Sequence, residues 1–306
     1  LRLWHILRIP HPPPSAPFGS PGRGFWVFAG FVSNPLLLSR QHNRQNKNWG
    51  ARRDTPECVS VSDVDKEIAI KKPIVLVVFY VVVMAAGLFY LNYFKGVKYS
   101  DPTFMQHFVW IVLGLAACAL LYYLAFRHET VLPNRGRSWG AYLLVVVPVG
   151  IAVIATMFAV PLTSVLLTTV LSALLVGIGE EIVFRHVFFG ALLRQSAAKG
   201  KTMTAAILTS ALVFSVVHAV NILDGQSVSR VITQLGPIFL LGILFAGLYL
   251  QTRSILSLIV LHWLWDSLAL IAPTVSFLTP ILAVLTFWQV AIGIVLLWRN
   301  RCVKAG

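Results

Sequence analysis

Apolar positions in this chain gather into long blocks that short polar stretches separate. A block of about 18 or more apolar residues is long enough to cross the hydrocarbon core as a helix. The blocks cover residues 73–94, 104–126, 141–160, 161–193, 204–220, 233–250, 254–271 and 277–298. The pattern therefore predicts an all-α fold, a polytopic integral membrane helical bundle with about eight transmembrane helices.

The fourth block is longer than a membrane crossing requires. As one helix with a rise of ~1.5 Å per residue, residues 161–193 would span about 50 Å, against ~30 Å of hydrocarbon. We expect this helix to tilt, break or protrude.

Residues 1–70 differ in composition from the rest of the chain. They are basic, contain the run His11-Pro12-Pro13-Pro14, and show no sustained periodicity. Such composition favours a disordered tail. We predict two regions, a disordered basic, Pro-rich tail over 1–70 and a single integral membrane domain over 71–300.

Composition and charge support this interpretation. The chain is 57% hydrophobic and 12% charged, with a mean hydropathy of +0.78, which excludes an ordinary soluble domain. A net charge of +14 could indicate a nucleic-acid partner, but the basic residues lie in the tail and between the apolar blocks. Thirteen Lys and Arg flank one side of the predicted spans and three the other. The positive-inside rule then predicts a multi-pass protein of the cell membrane with both termini cytoplasmic, and no nucleic-acid partner.

Glu180, Glu181 and Arg185 interrupt an otherwise apolar block. Each ionised side chain at membrane depth costs at least ~2.5–3.5 kcal/mol on insertion scales. Glu181 and Arg185 are four residues apart, so they share a helix face and can neutralise each other. Glu180 is rotated about 100° from Glu181 and is free to face another helix.

Three more ionisable side chains lie within later blocks. His218 lies on the fifth predicted span, and His262 and Asp266 lie four apart on one face of the seventh. Counting residues inward from the flanking Lys and Arg places Glu180, His218 and His262 at similar depths near the bilayer middle. We expect these side chains to line one cavity within the membrane, open toward the cytoplasm.

The motifs Glu180-Glu181-x-x-x-Arg185, Phe214-x-x-x-His218 and His262-x-x-x-Asp266 resemble, in order and spacing, the signature of the CAAX-protease and bacteriocin-processing (CPBP) family. These intramembrane endopeptidases are related to the type II CAAX prenyl protease, and the resemblance covers residues 160–272. It implies that Glu180 with His218 activates a water molecule and that His262 stabilises the oxyanion. Glu181 and Arg185 would hold the site in shape.

Asp266 departs from the Asn that prenyl-protein-processing members often carry. An amide can donate to an oxyanion, whereas an ionised carboxylate only accepts. Asp266 would then be protonated, orient His262, or ligate a metal. Glu180, His218, His262 and Asp266 are also a plausible Zn²⁺ ligand set with one position left for water. The sequence leaves both mechanisms open, with a preference for the metal-free one and no cofactor assigned.

The resulting interpretation is an intramembrane endopeptidase that hydrolyses membrane-associated peptide or protein substrates, for peptide maturation or self-immunity. The alternative is a non-catalytic membrane protein, a transporter or an immunity scaffold, that uses the buried polar cluster to bind an ion or a partner. Turnover that depends on Glu180 would distinguish the peptidase. Stoichiometric ion coupling would indicate the transporter.

Overall fold

The structure, a computed structural model, describes residues 63–126 and 137–301. Within these ranges the regular elements are all helical. The helices are α1 (Asp63–Phe89), α2 (Phe104–Phe126), α3 (Gly140–Ala159), α4 (Ser164–Glu180), α5 (Gly190–Ala198), α6 (Met203–Val217), α7 (Val228–Thr252), α8 (Ile255–Ile271) and α9 (Leu278–Asn300). Short π-helical segments (Tyr90–Phe94, Glu181–Phe189) and 3₁₀ segments (His218–Asp224, Ala272–Thr274) continue four of them.

Eight helical stretches of the described chain are long and apolar enough to cross a membrane. They are Ile70–Phe94, Phe104–Phe126, Gly140–Ala159, Ser164–Ala198, Met203–Asp224, Val228–Thr252, Ile255–Thr274 and Leu278–Asn300. The predicted all-α, eight-span fold is confirmed, and every span lies where its apolar block predicted it.

Only the last residues of the predicted tail fall within the described part of the chain. Helix α1 begins at Asp63, so residues 63–69 are helical although the composition placed them in the tail. Residues 1–62 lie outside the described residues.

The long fourth span changes its hydrogen-bond pattern in the middle. Residues 164–198 form one 35-residue span, but the α-helix gives way to a π-helix at Glu181, and α-helix resumes at Gly190. All nine residues of the π segment are buried. π-helical turns are rare and often occur at functional sites, and here the change falls beside the two glutamates.

This fourth span is the central element of the bundle. Helix α4 packs against α2 and α8, and the π segment contacts α1 and α6. Where α4 meets α8, a Cβ on Gly177 would lie 3.3 Å from the Ile259 carbonyl oxygen, so glycine permits the close approach. Small residues at helix interfaces serve this purpose in membrane proteins.

One end of the bundle, which we call the α9 end because α9 finishes there, is marked by two contacts. The Ser138 amide at the start of α3 donates to the Gln251 carbonyl near the end of α7, at 3.0 Å. A Cβ on Gly247 would touch the Leu296 side chain. The last turns of α7 and α9 therefore lie level with each other.

The other end, which we call the α2 end because α2 begins there, joins two connections. The Tyr99 amide donates to the Asp224 carbonyl at 3.2 Å, and the Asn92 side chain donates to the Leu223 carbonyl at 3.1 Å. The connection between α1 and α2 is thereby tied to the connection between α6 and α7.

The outer surface of the bundle is apolar. Trp110, Phe158, Leu162 and Phe287 are each more than 70% exposed, which in water would be an aggregation hazard. Lipid is the solvent that suits this surface, consistent with a multi-pass membrane protein.

Candidate active site

A cavity of about 300 Å³ lies inside the bundle between α1, α2, the fourth span, α6, α7 and α8. Its lining includes all four side chains proposed for catalysis: Glu180, His218, His262 and Asp266. They come from three different spans and reach one space, although up to 86 residues separate them in sequence. The rest of the lining is largely apolar.

Glu181 and Arg185 form a buried ion pair next to the cavity, in which Arg185 belongs to the lining and Glu181 does not. Arg185 Nη1 is 3.5 Å from Glu181 Oε1, and the side chains are 1% and 0% exposed. The guanidinium also sits 3.7 Å from the ring centre of Phe214 and 5.4 Å from that of Phe245. Cation–π contacts strengthen when both partners are desolvated, so carboxylate and aromatic rings together compensate this charge.

His262 connects the ion pair to the cavity. Its Nδ1 lies 2.7 Å from Glu181 Oε1, and since a carboxylate accepts, Nδ1 carries the proton. Its Nε2 lies 3.3 Å from Asp266 Oδ2 and 3.7 Å from Glu180 Oε2. The imidazole is thus held by Glu181 on one side and presents Nε2 to two carboxylates on the other.

His218 is oriented by its own helix. Its Nδ1 lies 2.7 Å from the Phe214 carbonyl oxygen, which can only accept, so Nδ1 is the donor. The neutral ring then has its lone pair on Nε2. With His218 on the cavity lining, that nitrogen is the free acceptor of the ring.

Glu180 and Tyr80 bring two further polar groups to the cavity. Glu180 Oε2 and the Tyr80 hydroxyl are buried and find no hydrogen-bond partner among the described residues. A Cβ on Gly179 would lie 2.7 Å from the Tyr80 hydroxyl oxygen, so glycine at this position makes room for the phenol beside Glu180. Tyr80 is 4% exposed and lines the cavity.

The sequence motifs did not identify Tyr80. It lies on α1, about 100 residues before the first motif, inside an apolar block where one tyrosine is unremarkable. The same holds for the bond between Glu181 and His262, because helical spacing relates Glu181 to Arg185 but says nothing of a residue 81 positions away.

The lining at the α2 end is polar, and we call it the mouth because four of its five polar residues are partly exposed: Tyr99, Asn221, Gln226 and Gln234, with the buried Asp224. Asp224 accepts from the backbone and side-chain nitrogens of Gln226, each at 3.1 Å. Burial, together with the nearby charges of Asp266 and Asp224, raises the pKa of Tyr99 to about 12. Its hydroxyl is therefore protonated at neutral pH.

Two other polar side chains near the motifs lie apart from the cavity chemistry. The Ser215 hydroxyl donates to the Leu235 carbonyl at 2.7 Å, so its proton is already used in a packing contact. His186 Nδ1 lies 2.8 Å from the Tyr249 hydroxyl, and its ring packs edge-on against Tyr123. Neither residue belongs to the cavity lining.

The zinc alternative requires three or four converging ligands. Within residues 63–126 and 137–301, no group of three or more His, Cys, Asp or Glu side chains is placed to hold a metal ion. His262 Nδ1 donates to Glu181 and His218 Nδ1 to a carbonyl oxygen, which leaves Nε2 of both rings for other contacts. As placed in the structure, the described side chains do not form the zinc ligand set, and the choice between the two mechanisms stays a prediction.

The position of the cavity bears on the expected orientation. Its mouth lies at the α2 end, and no described connection at the α9 end contributes to the lining. Helix α1 finishes at the α2 end, so the chain enters the bundle at the α9 end. The two expectations, a cytoplasmic amino terminus and a cavity open toward the cytoplasm, therefore refer to opposite ends of the bundle, and both stay predictions.

Residues 161–268 match the family model for the type II CAAX prenyl endopeptidase, Rce1-like. The match confirms the resemblance to the CPBP and CAAX-protease family. It contains all three motifs and ends before α9, and it leaves out α1, which supplies Tyr80. No curated protein and no solved structure matches the chain.

Proposed function

From the premise that residues 161–268 carry an Rce1-like segment of the CAAX-protease family, we propose that this protein is a glutamate-dependent intramembrane endopeptidase. The observation that supports this best is the shared cavity. A carboxylate whose Oε2 has no hydrogen-bond partner among the described residues, two imidazoles and an aspartate meet there, inside an apolar bundle. A purely structural polar cluster would pair its groups with one another, because an unpaired buried carboxylate is costly.

Glu180 is the proposed general base. Its Oε2 has no hydrogen-bond partner among the described residues, and Glu180 lines the cavity, so it can accept a proton from a water molecule bound there. His218 Nε2 is the second acceptor that orients this water. The water oxygen adds to the peptide carbonyl carbon, and its proton moves to Glu180. When the C–N bond breaks, Glu180 returns that proton to the leaving amine.

Charge that develops on the carbonyl oxygen needs donors at the site. Because Nδ1 already carries a proton, a second proton on Nε2 makes His262 an imidazolium. Its Nε2–H is one donor, which can turn from Asp266 to the oxyanion while Glu181 fixes the opposite side of the ring at 2.7 Å. The Tyr80 hydroxyl is the other. Asp266 lies 3.3 Å from His262 Nε2 and positions that imidazole. A carboxylate can perform this role as a hydrogen-bond acceptor.

A cleavage assay with purified full-length protein tests the function. The substrates are a quenched fluorescent peptide that ends in a farnesylated cysteine followed by three residues, its unprenylated counterpart, and a solubilised membrane proteome with new termini mapped by mass spectrometry. We expect cleavage of at least one, unchanged by EDTA. Absence of all cleavage would contradict the peptidase. Loss with EDTA that returns with added Zn²⁺ would contradict the metal-free mechanism.

Removing the Tyr80 hydroxyl tests its role as a donor. In Tyr80→Phe we expect kcat to fall roughly fivefold, because one hydrogen bond of about 1 kcal/mol is lost in the transition state, while KM stays close to the wild-type value. Tyr142→Phe is the matched control, since Tyr142 is also buried (8% exposed) but lies outside the cavity lining. Equal kcat values for Tyr80→Phe and the wild type would remove Tyr80 from the mechanism.

A further inference from the structure

Basic residues are distributed unequally between the two ends of the bundle. In residues 63–126 and 137–301, ten flank the spans at the α9 end, where the acidic Asp63, Asp65 and Glu67 also lie: Lys66, Lys71, Lys72, Arg137, Arg194, Lys199, Lys201, Arg253, Arg299 and Arg301. At the α2 end there are three, Lys95, Lys98 and Arg230, together with the acidic Asp101 and Asp224. Short loops rich in Lys and Arg are retained in the cytoplasm during insertion, so the α9 end is the cytoplasmic end.

The cavity reaches the other end. Its polar mouth includes the partly exposed side chains of Tyr99, Asn221, Gln226 and Gln234, all of which belong to the α2 end. Two backbone and side-chain contacts, from Tyr99 to Asp224 and from Asn92 to Leu223, hold the two connections of this mouth together. Charge and cavity shape are independent observations, and they assign opposite ends to the cytoplasm and to the mouth.

We infer that the cavity opens on the face of the membrane opposite the cytoplasm. Its substrate is then a peptide segment presented on that face, such as a translocated peptide or the non-cytoplasmic part of a membrane-anchored protein. The identity of the substrate rests on the proposed peptidase function, whereas the orientation does not. A prenylated tail that ends in the cytoplasm would meet the basic end of the bundle, where no described connection lines the cavity.

Cysteine labelling in intact cells tests the orientation. The full-length chain, with Cys58, Cys118 and Cys302 replaced by alanine, receives one new cysteine at a time and is produced in a bacterial host. Lys98→Cys and Lys199→Cys are a matched pair, because each replaces an exposed lysine in a connection, one at each end. Gln226→Cys places the thiol in the mouth itself. The probe is a membrane-impermeant maleimide, added before or after permeabilisation of the inner membrane.

We expect Lys98→Cys and Gln226→Cys to react in intact cells that have a permeable outer envelope, and Lys199→Cys to react only after the inner membrane is opened. The reverse pattern would overturn the inference. A labelled Lys98→Cys with an unreactive Gln226→Cys would also contradict it, since the mouth would then be closed to that face.

A second readout connects the mouth to turnover. After labelling in intact cells, each variant is purified, and cleavage of the substrate found in the assay above is measured. Modified Gln226→Cys should lose at least tenfold in turnover relative to its unlabelled form, while modified Lys98→Cys should not change. Unchanged turnover of modified Gln226→Cys would contradict entry of substrate through this mouth. If the unlabelled protein cleaves nothing, the peptidase proposal fails, and the labelling pattern still decides the orientation.

Discussion

Replacing Glu180 with glutamine is expected to abolish peptidase turnover and to leave the protein folded and inserted. Glutamine has nearly the same size as glutamate and keeps one oxygen acceptor, but its amide cannot take up a proton. A general base contributes about 10²–10⁴-fold to rate, so we expect a loss in that range. Because Glu180 Oε2 has no hydrogen-bond partner among the described residues and lies 3.7 Å from His262 Nε2, loss of its charge breaks no short contact that holds the bundle together.

The control for this variant is Asp101→Asn, which also replaces a carboxylate with an amide. Asp101 lies in the connection between α1 and α2, and its carboxylate accepts from the backbone amide and the hydroxyl of Thr103, so turnover should stay near the wild-type value. Turnover and monodisperse yield in detergent are measured together. Full turnover in Glu180→Gln would eliminate the catalytic assignment, and a large loss of its yield would mean that Glu180 is structural as well.

The spans were predictable from sequence because their signal is local and long. An apolar block of membrane length has few other folded forms available, since lipid leaves no partner for unpaired backbone groups. The change to π-helix at Glu181 could not be predicted in the same way. It alters the hydrogen-bond pattern of a helix whose sequence also suits α-helix, and all nine of its residues are packed against other helices.

The site could be predicted in part because placing its ionisable side chains within the membrane costs free energy. Ionised groups at membrane depth are rare enough that Glu180, His218, His262 and Asp266 suggested a shared cavity, and the structure places them on one. Tyr80 gives no comparable signal, because burying a tyrosine side chain within the membrane has a low free-energy cost. The end of the bundle at which the cavity opens could not be predicted either. It depends on how six helices pack around the cavity, which local sequence patterns do not encode.

Glu181 has a different function in the fold from the one its spacing suggested. The i, i+4 pattern relates it to Arg185, and the expectation was a structural ion pair. In the structure one oxygen atom, Oε1, lies 3.5 Å from Arg185 Nη1 and 2.7 Å from His262 Nδ1. The same carboxylate therefore neutralises the buried guanidinium and fixes the imidazole that faces the cavity. Changes at this residue should affect stability and turnover through two separable contacts.

Glu181→Gln is expected to lower the free energy of unfolding by about 3–5 kcal/mol, because it leaves Arg185 charged and 1% exposed without its counter-ion. The glutamine oxygen can still accept from His262 Nδ1, so the small folded fraction should retain some turnover. The measurements are monodisperse yield in detergent, the midpoint of thermal unfolding, and turnover per folded molecule.

The double variant Glu181→Leu with Arg185→Leu separates the two contacts. Removing both charges removes the cost of an unpaired guanidinium, so yield and unfolding midpoint should return toward the wild-type values. His262 Nδ1 then has no acceptor, and turnover per folded molecule should fall below that of Glu181→Gln. If the double variant is no more stable than Glu181→Gln, the ion pair is not the source of the instability. If it is stable and turns over like the wild type, the bond from Glu181 does not position His262.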